Sequence, residues 1–337
     1  MKNYIEIKDE YDEDFLKDNP LVFNNKEDDF AKFCLTDVWG SLYYEDKLNE
    51  KPISYFRHSN KNSYRFGGFT ELGDTYLDYQ KGGYHHDDIA SKDTIIKGYQ
   101  KISDNPICYG FSSKEPYSDY RFYVDHAEMK ESNFFDVKAT RLPITIIDHH
   151  SIFPPMSQIS QPCIFKGLYE GKKIIGLGSY DRYFMPSSNK KDMGEDLGYI
   201  CASVSGILDD GRYELAIATI SFNGQSCGIY VRENERPIVS YDVKLNTTWE
   251  ILPYVEDGTC IYKDALFEFG GIKLHINGKC GTKGFTKKPR IERGGQSQVF
   301  GTWYVGDTFY KHHISNSFME NMMCYDYILK KKGYVVK

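Results

Sequence analysis

Six of the nine histidines stand in adjacent pairs. His85-His86 runs into Asp87-Asp88, Asp148 precedes His149-His150, and Lys311 precedes His312-His313. Imidazole is the commonest metal ligand and titrates nearest to neutrality. Successive residues of a strand face opposite ways, so each pair gives one imidazole to a given face. Three pairs on neighbouring elements would make a three-histidine site suited to zinc or iron, with Asp88 or Asp148 beside it. No HExxH or His-x-His spacing accompanies them, so surface or loop histidines are the simpler reading and no metal ligand is assigned.

Acid–base chemistry without a metal asks for a histidine or carboxylic acid in a mostly apolar cavity. Asp181, His149, His150 and Glu320 are the catalytic candidates. The histidines lie just before a Pro154-Pro155 connection, and Glu320 sits inside the apolar run FMENMM. Arg182 is suited to hold a substrate carboxylate or oxyanion, or to pair with Asp181. Tyr180, Tyr183, Tyr230, Trp303 and Tyr304 are the candidates to line a site for an apolar or aromatic ligand; ordinary core packing is the alternative for each. No P-loop, GxSxG elbow or cofactor fingerprint is present.

These residues must be positioned by strands. Pro162 to Phe184 reads as a hairpin: Cys163–Leu168, a Glu170-Gly171 turn, then Lys173–Leu177. Gly176 and Gly178 follow, and glycine within a strand marks a bulge, a bend or a close backbone approach. A bend delivering Ser179-Tyr180-Asp181-Arg182-Tyr183 would be a ligand-site wall or a barrel corner. Elsewhere short aromatic and β-branched runs alternate with polar turns, and only residues 89–101 carry a helical period. Asp209-Asp210-Gly211, Asn223-Gly224 and Asn277-Gly278 predict hairpin turns. Helical crossovers of the length that parallel sheets need are missing. The reading is all-β: an acidic lead-in over 1–30, one barrel or sandwich over 31–190 and another over 198–337, joined by the polar stretch Met185–Gly198.

Bulk composition narrows the function classes. The chain has 337 residues and a net charge of −6, and residues 1–30, with ten acids and four lysines, account for that imbalance. Without a concentrated basic surface a nucleic-acid partner is not expected. No apolar run is long enough to span a bilayer, and the N-terminal residues lack a signal-like apolar segment, so a cytoplasmic location is the default. The eight cysteines are scattered with no CxxC, as buried free thiols would be. The Met-rich FMENMM stretch is suited to burial against a second copy in a homodimer.

One series of pieces resembles a known family. Phe165–Tyr183 (strand, turn glycine, strand, GxG-aromatic-Asp-Arg-aromatic), Asp209-Asp210-Gly211-Arg212, Asn223-Gly224 and Gly301–Asn321 together look like the AttH-like and hydroxyneurosporene-synthase-like proteins. The family pattern places a tryptophan near the aspartate, where this chain has Tyr183-Phe184. The resemblance covers residues 140–325 and implies two consecutive antiparallel lipocalin-like β-barrels. It further implies a small-molecule enzyme without cofactor, of hydratase, isomerase or cyclase type, for a terpenoid- or polyketide-like substrate. A non-catalytic protein binding a hydrophobic ligand or a carbohydrate is the second reading, and a β-sandwich glycan hydrolase the third.

Overall fold

The computed structural model describes residues 3–7, 35–48, 54–61, 69–71, 83–90, 95–102, 105–113, 120–126, 133–148, 157–169, 171–184, 198–252, 258–280, 296–309 and 312–337. For several strands of the first half only the backbone is described. Of the expected linker, residues 185–197 lie outside these ranges, as does the acidic lead-in apart from residues 3–7. The chain divides into two compact units, residues 1–69 with 79–188, and 70–78 with 189–337.

The first unit carries a twelve-stranded sheet. Its strands are β1 (Asn3–Ile7), β2 (Leu35–Tyr44), β3 (Ser54–Lys61), β4 (Phe69–Glu71), β5 (Gly83–Ala90), β6 (Ile95–Ile102), β7 (Asn105–Ser113), β8 (Tyr120–His126), β9 (Asn133–Arg141), β10 (Ile144–Asp148), β11 (Ser157–Tyr169) and β12 (Lys172–Phe184). They run β4-β3-β2-β12-β11-β9-β8-β7-β6-β5, with β10 against β11 and β1 parallel to β10. Of residues 89–101, the described ones, 89–90 and 95–101, fall in the end of β5 and in β6 and not in a helix. Ile89, Ile95 and Ile96 are β-branched and suit the ladder they form.

β11 and β12 are longer than the sequence suggests. Their register is unbroken from Ser157 opposite Phe184 to Tyr169 opposite Lys172. Gly176 and Gly178 therefore make no bend. Gly178 stands opposite Gly40 of β2, and a Cβ on Gly178 would collide with the Trp39 carbonyl and the Gly40 Cα. A Cβ on Gly40 would lie 2.7 Å from the Leu177 carbonyl oxygen and 2.8 Å from Cε2 of Phe165. The glycines serve close approach: two bare backbones meet and the fully buried Phe165 ring covers them.

The second unit carries a nine-stranded antiparallel sheet ordered β16-β15-β14-β13-β21-β20-β19-β18-β17. The strands are β13 (Tyr199–Leu208), β14 (Tyr213–Ser221), β15 (Ser226–Arg232), β16 (Ile238–Ser240), β17 (Lys244–Ile251), β18 (Cys260–Phe269), β19 (Ile272–Cys280), β20 (Gln296–Val305) and β21 (His312–Met322), followed by helix α1 (Asp326–Lys331). Two expected turns form as local chemistry dictates. Gly211 and Gly224 have φ of 84° and 95°, and the Asp210 and Asn223 side chains accept the N–H two residues on at 3.0 Å. Tyr213, just after the first of these turns, is buried at the start of β14.

The Asn277-Gly278 turn does not exist. β19 runs through it, and the reversal is at Gly270-Gly271, whose φ values of 54° and 81° suit a type I′ turn. Gly278 faces Gly301 across β19 and β20, where a Cβ on Gly301 would strike the Asn277 carbonyl and the Gly278 Cα. FMENMM is no dimer surface either. It lies in β21, between β13 and β20, and Phe318 to Asn321 are buried within the chain.

The inner face of this sheet is filled. Trp249, Tyr262, Phe267 and Trp303 are among the largest fully buried side chains, and Ile328 and Leu329 of α1 pack into the same cluster. Along the sheet β20 and β19 separate β18 from β21. Even so, the Tyr262 hydroxyl donates to the Cys201 carbonyl at 2.7 Å, with the Glu320 carbonyl at 3.4 Å. Asn321 Nδ2 donates to the Cys260 carbonyl at 2.8 Å. The sheet must curl until its strands face one another, as in a calycin-type fold. No ladder joins β16 to β17 among the described residues.

The Tyr262 hydroxyl is thus one of two cross-sheet ties among the described residues, beside that of Asn321. Tyr262→Phe, which keeps the ring and leaves a buried carbonyl short of a donor, is expected to cost about 1–3 kcal/mol. Urea unfolding of both proteins checks this; an unchanged midpoint would mean that packing carries the curl.

Candidate functional site

Asp181 sits on β12 between β11 and β2, opposite Ser160 on one side and Asp37 on the other. It is 2% exposed. Trp39 Nε1–H donates to Oδ2 at 2.7 Å, and the Ser179 hydroxyl donates to Oδ1 at 2.6 Å. Both donors follow from the ladder. Ser179 is two residues away on the same face, and Trp39 is opposite Ser179 on β2, brought near by the Gly40–Gly178 contact. A carboxylate has about four lone-pair sites, and these two bonds fix one direction on each oxygen. Ser41 and Ser160 are buried on the same face of the sheet, and Trp39 and Ser179 each keep 7% exposure, so the group is secluded and hydroxyl-rich.

The tryptophan beside Asp181 comes from another strand, 142 residues away in sequence. Tyr180, Arg182 and Tyr183 lie in the same run of β12, opposite Val38, Thr36 and Leu35 of β2, with backbone alone described. His149 and His150 lie outside the described residues, and the side chains of His85 and His86 do too.

In the second unit Glu320 is buried on β21 at 8% exposure, opposite Cys201 of β13 and Gln298 of β20. Thr219 stands next in that row, its hydroxyl 3.6 Å from Cys201 Sγ. Tyr230 and Trp303 belong to the packed core rather than to an open cavity. Tyr304, half-buried, stacks on His275 with ring centroids 4.5 Å apart at 3°. The structure does not gather Glu320, Tyr230, Trp303 and Tyr304 into one constellation.

Sequence reasoning missed a charged group at one end of the core. Glu214 is fully buried and accepts from Arg232 Nε at 3.2 Å and Nη2 at 3.1 Å. A lone acid within the apolar run YELAIATISF was the available signal. Beside this pair, His312 stacks on Trp303 at 4.1 Å and occupies the space a Cβ on Gly206 would need. Its neighbour His313 is exposed, so the pair splits across the sheet as strand alternation requires. Burial, then the nearby Arg232 cation, pushes the His312 pKa down to about 4, against a smaller opposing pull from Asp209.

Among the described residues no group of three or more His, Cys, Asp and Glu side chains is placed to hold a metal ion. A cleft of about 540 Å³ lies at the β2–β12 turn end, lined by Tyr44, Glu45, Asp46, Lys47, Lys172 and Lys173. Lys172 is nine residues from Asp181 along β12, roughly 30 Å at strand rise, so the cleft and the carboxylate are separate features.

No protein-family model matches this sequence, and no curated protein matches it. Among solved structures, the protein described as AttH from Nitrosomonas europaea superposes with a TM-score of 0.52 at 12% identity, over 91% of this chain and 96% of that one. CghA matches at a TM-score of 0.46 and 11% identity, over 87% of this chain and 89% of that one. Kievitone hydratase from Nectria haematococca matches at 0.36 and 7%, over 88% of this chain and 90% of that one. The chain has the AttH-like fold, mostly antiparallel and of calycin type, along nearly its whole length.

A depressed histidine pKa makes stability depend on pH. The unfolded chain takes up a proton at its ordinary value of 6.5, while folded His312 refuses it until about 4. Stability is therefore full above the unfolded value and falls as pH drops between these two, by up to about 3 kcal/mol. His312→Phe, which keeps a ring on Trp303, is expected to flatten that part of the profile. Equal slopes for both proteins in urea unfolding from pH 7 to 4 would contradict a neutral imidazole packed at this end of the core.

Proposed function

We propose that the protein is a small-molecule enzyme of hydratase, isomerase or cyclase type. It acts by proton transfer on an apolar terpenoid- or polyketide-like substrate, with Asp181 as the acid–base group. Two closed lipocalin-like barrels in tandem are the architecture this reading assumes. The observation that carries it is the geometry of Asp181: a carboxylate at 2% exposure, fixed by the Trp39 indole N–H and the Ser179 hydroxyl. Proton transfer to or from carbon needs a carboxyl group with its lone pairs aimed and water kept away. Trp39 adds an apolar wall against which an alkene or an aromatic ring can lie.

The second unit is assigned no substrate, because its interior is occupied by Trp249, Tyr262, Phe267 and Trp303. A sandwich hydrolase is disfavoured by the same unit, whose core is enclosed by one curled sheet rather than by two facing ones. Glu320 is kept as a second carboxylate of interest, without an assigned step.

The test is a turnover screen of unsaturated terpenoid and polyketide substrates in H₂¹⁸O and in D₂O, read by mass spectrometry. Hydration adds the mass of labelled water, isomerisation incorporates deuterium, and cyclisation leaves the mass unchanged. Asp181→Asn keeps the shape and one acceptor, and is expected to lose about 10²–10⁴ in rate. A folded Asp181→Asn protein with undiminished turnover would assign Asp181 to holding β2 against β12 and nothing more.

A further inference from the structure

Past the end of β21 the chain turns back along the start of β18. Cys260 N–H donates to the Cys324 carbonyl at 2.6 Å, Thr259 and Tyr325 are paired antiparallel, and Asp326 N–H donates to the Gly258 carbonyl at 2.9 Å. These contacts form a short antiparallel ladder in which Cys260 and Cys324 are directly opposite. Opposite residues of such a ladder share a face, with Cα atoms about 5.5 Å apart in a hydrogen-bonded pair. Disulfides span Cα separations of about 4.4–6.8 Å, which includes this spacing, and Cβ separations of about 3.5–4.5 Å, so the two segments must draw slightly together at this pair for a bridge to close. Both side chains are 0% exposed and belong to one core cluster.

We infer that Cys260 and Cys324 are a modification site: a thiol pair built to close as a disulfide that fastens the C-terminal helix to the second sheet. In the reduced state the thiols turn to separate backbone acceptors. Cys260 Sγ lies 3.4 Å from the Gly258 carbonyl, and Cys324 Sγ lies 3.6 Å from that of Met322 and 4.0 Å from that of Tyr199. Bridging requires rotation of both side chains and a small approach of the two segments. The reaction consumes a disulfide or a hydroperoxide. With oxidised glutathione, a Cys324 thiolate attacks one sulfur and releases a glutathione thiolate. The Cys260 thiolate then attacks the mixed disulfide and releases the second, so two protein protons and two electrons leave with two reduced glutathiones.

Burial sets when this happens. It raises the Cys324 thiol well above its usual range, so the closed protein holds little thiolate. α1 has six residues and no side-chain N-cap, and is held by Ile328 and Leu329 in the core and by Lys332 Nζ on the Phe222 carbonyl at 2.6 Å. Lifting it bares Cys324 to the oxidant, and re-docking brings the mixed disulfide to Cys260. The bridge therefore forms during folding or during opening of the helix, and holds the helix down afterwards. None of this depends on the activity of Asp181.

The experiment is refolding of the full chain in a glutathione redox buffer, followed by non-reducing peptide mapping and thermal unfolding. The expected result is a Cys260–Cys324 linked peptide two mass units lighter than its reduced parts. An unfolding temperature several degrees above that of the reduced protein is also expected. Cys324→Ala should fold, lack the link and show no redox shift. A variant keeping only Cys260 and Cys324 should still form the link. Free or glutathionylated Cys260 and Cys324 after refolding, or pairing of either with another cysteine instead, would overturn the inference.

Discussion

The contact between Gly40 and Gly178 governs the candidate site. Two strands in register meet there with no side chain between them, and any Cβ on Gly178 would strike the backbone of β2. That approach brings Trp39 within 2.7 Å of Asp181 and lets Phe165 lie over the glycines on the other face. The second sheet repeats the solution at Gly278 and Gly301, where the Gly301 N–H donates to the Ser317 hydroxyl at 3.0 Å. In both places the absence of two side chains lets the backbones meet, and a polar contact lies beside the pair.

The described interior of the second unit is filled with side chains. Its interior holds two tryptophans, a tyrosine whose hydroxyl crosses to Cys201, and a helix that seals the core with Ile328 and Leu329. Buried charge is tolerated where it is paired, as with Glu214 and Arg232. Asp181 receives hydrogen bonds from the Trp39 indole and the Ser179 hydroxyl, and shares its face with Ser41, Ser160 and the Trp39 ring. Burying a carboxylate is costly, and the two donors that orient Asp181 offset part of that cost.

Local chemistry was legible in the sequence and distance was not. The Asp210-Gly211 and Asn223-Gly224 turns are specified by glycines at positive φ and by side chains capping their own backbone, all within four residues. Asn277-Gly278 has the same composition, but its glycine answers Gly301 on β20, and no local rule distinguishes the two cases. Gly176 and Gly178 were similarly ambiguous among bulge, bend and close approach, and only the partner strand decides. Asp181 was visible as an acid following GxG-aromatic, whereas Trp39 was beyond reach because 142 residues separate them. Glu214 was overlooked although it is an acid in an apolar strand, and its partner Arg232 is fixed by the β14–β15 register. The three histidine pairs drew attention by their rarity; the described one places His312 in a packed end of the core and His313 in solvent.

The central claim is that the secluded face bearing Asp181 is where substrate reacts. The most direct measurement is a crystal structure of the full chain, carrying an inactivating change at Asp181, with a bound unsaturated substrate. The account predicts the reacting carbon within about 3.5 Å of the residue-181 side chain, with the ligand against the Trp39 indole. A ligand seated in the interior of the second sheet, or at the charged cleft beside Lys172, with residue 181 untouched, would contradict it.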